Sequence, residues 1–164
     1  MGLSSFRKSV ASLGTTAAMS LVPQMAAAGE QSNHAVLGTE VSAHSLMAYG
    51  GYFHEAAHHL SIGVSGGLGK DFHGGTVGAL EGLIAYHKTL SRAVAHGVFG
   101  VLEAGGGAEM DSGEHGVHFE PIAKATGLVG IQVSEALGIF AGPNYVATPD
   151  THHWSISAGA VFGF

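Results

Sequence analysis

Trp154-Ser-Ile-Ser-Ala-Gly-Ala-Val-Phe-Gly-Phe164 closes the chain, and its reading decides the fold. Every second residue is apolar: Trp154, Ile156, Ala158, Ala160, Phe162 and Phe164. The residues between them, Ser155, Ser157, Gly159, Val161 and Gly163, are small or polar. A period of two describes a strand with one oily face. Aromatic side chains stand at both ends of that face, where a membrane strand meets its two interfaces. A tilted strand needs about 9–11 residues to cross a bilayer, and this stretch supplies eleven.

The start of the chain is consistent with export. Arg7 and Lys8 precede a mildly apolar, Ala-rich run, Ser9 to Val22, which Pro23 breaks. Ala26-Ala27-Ala28 then gives a small-x-small cleavage pattern before Gly29. Residues 1–28 therefore read as a signal peptide and 29–164 as a single domain. No stretch after residue 28 reaches the roughly 18 apolar residues of a membrane helix. A membrane reading must accordingly be a closed barrel, because lipid offers no partner to an unpaired backbone. After residue 28, four cations face twelve acids, a formal charge of −8 with His neutral, so no nucleic-acid partner is expected. The chain has no Cys and hence no disulfide or thiol chemistry. Its 27 glycines are not periodic and suit the crowded wall of a small barrel.

Reading backward from the last strand yields an antiparallel series. Ala136 to Ala147 places Leu137, Ile139, Ala141 and Tyr145 on one face. Before it come Val117 to Gly130, Ala93 to Gly105, Gly75 to Tyr86, His58 to Gly69 and Ala43 to Phe53. The His58 segment alternates most clearly, with Leu60, Ile62, Val64 and Leu68 against Ser61, Gly63, Ser65 and Gly67. Bacterial barrels use an even number of strands, so an eighth is assigned to Glu30 to Leu37, turning at Gly38-Thr39-Glu40. The expected fold is all-β: an antiparallel, up-and-down, transmembrane β-barrel of eight strands. Short turns are expected near 54–57, 87–91 and 131–135, and longer outer connections near 70–74, 106–116 and 148–152. Pro121 and Pro143 fall inside strands and are expected near the outer rim, where pairing can stop. Leu80, Leu83, Ile84, His87, Leu90, Val94, Val98 and Leu102 also fit a helical hairpin. Gly78, Gly82, Gly97 and Gly100 would each cost that helix about 1 kcal/mol relative to Ala.

Eight strands enclose a space that side chains just fill. Turning the charges inward selects Glu81, Glu103, Glu120 and Lys124. Simple hairpin pairing sets Gly97 opposite both Glu81 and Lys124, and Glu103 opposite His118. Glu81 and Lys124 are the expected interior ion pair, with rim charges in a slipped register as the alternative.

His54-Glu55-Ala56-Ala57-His58 matches H-E-x-x-H, in which two His on one helical turn bind zinc and the Glu works on the bound water. The motif needs a helix, whereas the residues after it alternate as a strand. His73 or Glu81 could be nominated as a third ligand, but no spacing selects either. His54, His58, His59, His115, His118, His152 and His153 otherwise read as polar rim residues. His153-Trp154-Ser155 offers a nucleophile beside a His, but no acid stands at a defining spacing. Gly66-Gly67-Leu68-Gly69-Lys70 lacks the phosphate-loop spacing. No catalytic residue, cofactor or metal is assigned, and His54, Glu55 and His58 stand as the alternative metal set.

The signal-like start, the Phe-terminated last strand and the segment Val129 to Pro143 are similar to those of small outer-membrane barrels, the OmpX-like and porin-superfamily eight-stranded proteins. The resemblance is one of pattern over the exported part of the chain. It implies a bacterial outer-membrane location after passage through the periplasm, with outer-membrane lipid as surroundings. It also implies insertion by the barrel assembly machinery, reading Trp154, Ile156, Phe162 and Phe164. It carries no catalytic residues. The expected role is non-enzymatic: structural, adhesive or surface-binding. The alternatives are a rim-site enzyme acting on lipid or peptide, metal-dependent through His54 and His58, and a soluble periplasmic binding protein.

Overall fold

The computed structural model describes residues 33–91, 97–113 and 116–163. Eight antiparallel strands follow one another around a closed barrel: β1 (Asn33–Ser42), β2 (Ser45–Ala57), β3 (Leu60–Asp71), β4 (Thr76–Ser91), β5 (Val98–Gly113), β6 (Gly116–Ser134), β7 (Leu137–Ala147) and β8 (His152–Phe162). The ring closes where β1 pairs with β8, from Ala35 opposite Phe162 to Ser42 opposite Ser155. Following partners from Asn33 through His54, Ile62, Ile84, Ala104, Ala125 and Tyr145 to Trp154 arrives just past the far end of β1, a climb of that strand's 10 residues. Such a stagger tilts the strands by about 40° and leaves an interior that side chains fill.

The strands are longer than their sequence pattern suggests, and the turns move accordingly. Gly38-Thr39-Glu40 is no turn: β1 continues to Ser42, and Ala43–His44 makes the bend, with Ser42 Oγ accepting from the His44 and Ser45 amides at 3.1 and 2.9 Å. Gly38 is there for room, since a Cβ would come within 2.8 Å of the Tyr49 ring. Residues 54–57 stay in β2, and the turn falls on His58–His59, where His59 has φ 67°. His is among the residues that tolerate this left-handed region. Residues 87–91 stay in β4, and 131–134 in β6. The expected loop over 106–116 is two paired strands, Gly113 lying opposite Gly116. Gly107 sits inside that ladder because a Cβ would press on the Leu80 carbonyl and lie 2.8 Å from Glu81 Cα.

Long outer connections are therefore not found among the described residues. The rim remote from Asn33 and Gly163, the far rim, carries Ala43–His44, Phe72–Gly75 and Thr148–Thr151. The near rim carries His58–His59 and Glu135–Ala136, with Gly97 just ahead of β5. Three bulges, at Glu55/Ala57, Thr89/Ser91 and Gln132/Ser134, sit beside the near-rim turns. The helical reading of 80–102 gives way to β4 and β5. Residues 1–28, 30–32, 93–96 and Phe164, on which parts of the sequence reading fall, lie outside the described residues.

The two prolines are accommodated differently. Pro121 lies where β6 rises above β7, whose pairing with β6 begins only at Ala123. Pro143 is not at the rim but in mid-strand, opposite Ile156. The β6–β7 ladder is interrupted there, between Thr126–Asn144 and Val129–Ala141, as the missing N–H requires.

The outer surface is apolar across the whole ring. Leu37, Ile62, Val64, Leu68, Leu80, Ile84, Leu102, Val129, Ile139 and Ile156 alternate with inward neighbours, and all but Leu37 are freely exposed. Tyr52, Tyr86 and Phe162 lie toward the near rim; Tyr145 and Trp154 lie toward the far rim, their rings 5.1 Å apart. An apolar band between aromatic girdles is the exterior of a transmembrane barrel. Val64, 58% exposed in the middle of β3, faces the centre of that band. Val64→Arg is expected to cost about 2–4 kcal/mol, and Phe72→Arg in the far-rim connection about 0–1 kcal/mol. Urea titration of the protein in lipid vesicles measures both; equal, small costs would mean that β3 does not face hydrocarbon.

Candidate functional site

The inward positions divide the barrel into layers. Halfway along lies a charged layer that reaches across the interior. Lys124 on β6 donates to Glu40 Oε2 on β1 at 2.7 Å and lies 3.3 Å from Glu81 Oε1 on β4. Each carboxylate has a second, neutral donor: Ser155 Oγ to Glu40 Oε1 at 2.6 Å, and Ser65 Oγ to Glu81 Oε2 at 2.9 Å. Asn144 Nδ2 then donates to Ser155 and Ser157 at 3.0 and 2.7 Å. Tyr49 completes the layer, its ring 6.0 Å from the Lys124 ammonium. Burying ions is costly unless they are paired and their remaining lone pairs are met, and both conditions hold for Glu40 and Glu81.

On the near side of this layer the walls turn apolar. Phe99, Leu128, Phe140 and Val161 form one buried cluster, and Phe53, Leu83 and Ala85 another. A cavity of about 80 Å³ is lined by the charged layer and by both clusters and reaches His34 and His87 at the near mouth. Those two rings meet edge to face at 5.7 Å, and His34 Nδ1 donates to the Gly163 carbonyl at 2.5 Å. On the far side, Val77, Ile122 and Val146 are buried, with Glu109 and His153 beside them at the mouth.

The structure brings Glu81 and Lys124 together, but through a different register from the one the sequence suggests. Gly97 precedes β5; the residues opposite Glu81 and Lys124 are Gly107 and Gly105. Glu103 lies opposite Thr126, and His118 opposite Asp111. Glu120 shares the inward parity but is exposed above the end of β7. Glu40, the nearest partner of Lys124, escapes a reading that puts it in a turn. The alternation Val36, Gly38, Glu40 against Leu37, Thr39, Val41 was the available signal.

The H-E-x-x-H residues do not share a helical face. His54 and Glu55 occupy successive β2 positions and so point to opposite sides, while His58 lies in the turn. His54 Nδ1 bonds Asn33 Oδ1 at 2.8 Å, and Glu55 Oε1 accepts the His59 amide at 3.3 Å. Glu81 is engaged in mid-barrel and His73 is at the far rim, so neither joins them. Among the described residues no group of three or more His, Asp or Glu could hold a metal ion. Ser155 is 3% exposed and bound to Glu40 and Asn144, a structural hydroxyl rather than an accessible nucleophile. Trp154, Ile156 and Phe162 point outward from β8.

A closed ring of eight strands, an apolar exterior and a side-chain-filled interior define an eight-stranded transmembrane β-barrel. The fold is similar to the N-terminal β-barrel domain of Pseudomonas aeruginosa OprF, at 14% identity and a TM-score of 0.66, covering 82% of this chain and 98% of that one. It is also similar to Neisserial surface protein A, at 11% identity and a TM-score of 0.56, covering 80% and 94%. A de novo designed transmembrane β-barrel aligns at 15% identity and a TM-score of 0.50, covering 82% and 98%. No protein-family model matches the chain, and no curated protein matches it by sequence.

The charged layer makes an ordered prediction. Lys124→Ala leaves two facing carboxylates without a cation and is expected to cost about 3–5 kcal/mol. Glu81→Gln and Glu40→Gln each leave one ion pair intact and keep an acceptor for the serine, so each is expected to cost clearly less. Urea unfolding in vesicles, with heat-modifiable gel migration as the check on closure, gives the three values. Similar costs for all three variants would show that the charge balance of this layer does not govern stability.

Proposed function

We propose that this protein is a non-enzymatic integral barrel of the bacterial outer membrane, with a structural or surface-binding role and not a solute channel. The observation that carries the reading is the layer Glu40–Lys124–Glu81, which with Tyr49, Asn144 and the serines spans the interior and is itself only slightly exposed. An eight-stranded ring leaves little space around such a layer. Adhesion through extended loops has little to work with, because the far-rim connections among the described residues span only two to four residues. Surface binding would fall on the protruding ends of β5 and β6, residues 107–113 and 116–122. The structural role is therefore the favoured half of the proposal.

Residues 1–28 are proposed to direct export to the periplasm. Barrel assembly machinery is proposed to take up the chain through the outward residues Trp154, Ile156 and Phe162, together with the Phe164 of the sequence pattern. The likeness to OprF and to a Neisserial surface protein supports an outer-membrane address. The apolar exterior argues against a soluble periplasmic carrier, and the strand geometry of His54 and Glu55 argues against a zincin at the rim.

Two measurements test the proposal. In a Gram-negative host the full chain is expected in the outer-membrane fraction, resistant to carbonate extraction; recovery in the soluble periplasm would overturn the location. In planar bilayers the purified barrel is expected to show no sustained conductance, whereas stable ion-conducting openings would overturn the sealed interior.

A further inference from the structure

Three side chains stand in a row on three neighbouring strands just beneath the charged layer. Glu103 on β5 is opposite Thr126 on β6, which is opposite Asn144 on β7, and all three line the cavity. Thr126 Oγ1 and Asn144 Oδ1 are buried, in residues 6% and 0% exposed, and find no hydrogen-bond partner in the protein. Glu103 lies within the field of Lys124 and Glu81, yet among the described residues no donor is bonded to its carboxylate; Lys124 is spent on Glu40 and Glu81. The row thus offers carboxylate, hydroxyl and amide oxygens, side by side and unmet.

The charge around the row has a sign. Among the described residues, Glu40, Glu81 and Glu103 face one interior lysine, Lys124. A charge buried without a partner is strongly disfavoured; a proton on Glu103 relieves it, and so does a second positive group beside Glu103. Directly below the row the cavity is walled by Phe53, Leu83, Phe99, Leu128 and Phe140. Its volume of about 80 Å³ exceeds the roughly 10–15 Å³ that one water needs. An occupant that suits both parts has a cationic head with several N–H donors and a short apolar body.

We propose that the cavity is a binding site for a small primary alkylammonium. Its three N–H groups meet Glu103, Thr126 Oγ1 and Asn144 Oδ1, as a lysine ammonium meets three acceptors. Its carbon chain lies among the phenylalanine rings, whose faces also favour a nearby cation. Access is from the near mouth, which His34 and His87 line. The site rests on the barrel interior alone and is independent of the protein's location and cellular role.

The test uses the full chain folded in detergent micelles, titrated with n-butylammonium, 1-butanol or potassium ion while NMR shifts at Thr126 and Asn144 are followed. Butylammonium is expected to saturate, to shift both residues, and to bind more tightly than butanol or potassium. Glu103→Gln is expected to weaken butylammonium by about tenfold or more, the worth of a charge-assisted hydrogen bond. Thr126→Val, close to isosteric, is expected to weaken it less. Gel migration confirms that each variant is closed. Equal binding of butanol, or indifference to Glu103→Gln, would reduce the site to an apolar pocket and overturn the proposal. Equal binding of potassium would make it an inorganic cation site, and an absence of saturable shifts would remove it; either result also overturns the assignment.

Discussion

The seam between β1 and β8 is the interaction on which the rest depends. Each of the other strand pairs is a hairpin between neighbours in sequence; only this one joins the two ends of the described chain. Unclosed, the sheet would present two rows of unpaired amides and carbonyls to hydrocarbon, where each unmet group costs several kcal/mol. Closed, it leaves no edge, and lipid meets only the side chains of the outward row. The ten-residue stagger follows from the same closure, since strands of this number must tilt to seal the ring.

Closure forces a division of labour between the two faces. The outside is uniform, because lipid asks only for apolar surface and aromatic ends. The inside must fill a narrow cylinder and satisfy every polar atom it contains. The protein does so for Glu40, Glu81 and Lys124 with a mid-level ionic layer, braced by serines and Asn144, above a compartment of phenylalanine, leucine and valine. With Tyr49 and Asn144 the charged layer spans seven strands, all but β5, so it also fixes their mutual register from within. Where the pairing is incomplete, at Glu103, Thr126 and Asn144, the interior retains the capacity to hold something else.

The outward face was legible in the sequence because it is written in large residues at strict alternation. β3, β7 and β8 could be read from Leu60, Ile62 and Val64, from Leu137 and Ile139, and from Trp154 and Ile156. The turns were legible less well, for a physical reason: glycine signals a turn in most proteins, but here it lines a wall under close approach. Gly38 and Gly105-Gly106-Gly107 accordingly mimic loop starts while lying inside ladders. Charges mislead in the same way: Glu109 and Asp111 belong to a strand that runs on into the far rim. Of the interior site, Glu81 and Lys124 could be picked out by turning charges inward, whereas Glu40 was hidden by the mistaken turn. The Glu103–Thr126–Asn144 row depends on register across three strands, which no local pattern sets.

Cross-linking of the seam addresses the closed ring most directly. The chain has no native Cys, and Thr39 on β1 lies opposite Ala158 on β8, both facing outward. A Thr39→Cys, Ala158→Cys double variant, folded in lipid vesicles and oxidised, is expected to form one intramolecular disulfide nearly completely. The cross-linked chain should migrate as a closed species even after boiling. Failure of the two thiols to join in the membrane-inserted protein would contradict the sealed barrel and everything argued from its interior.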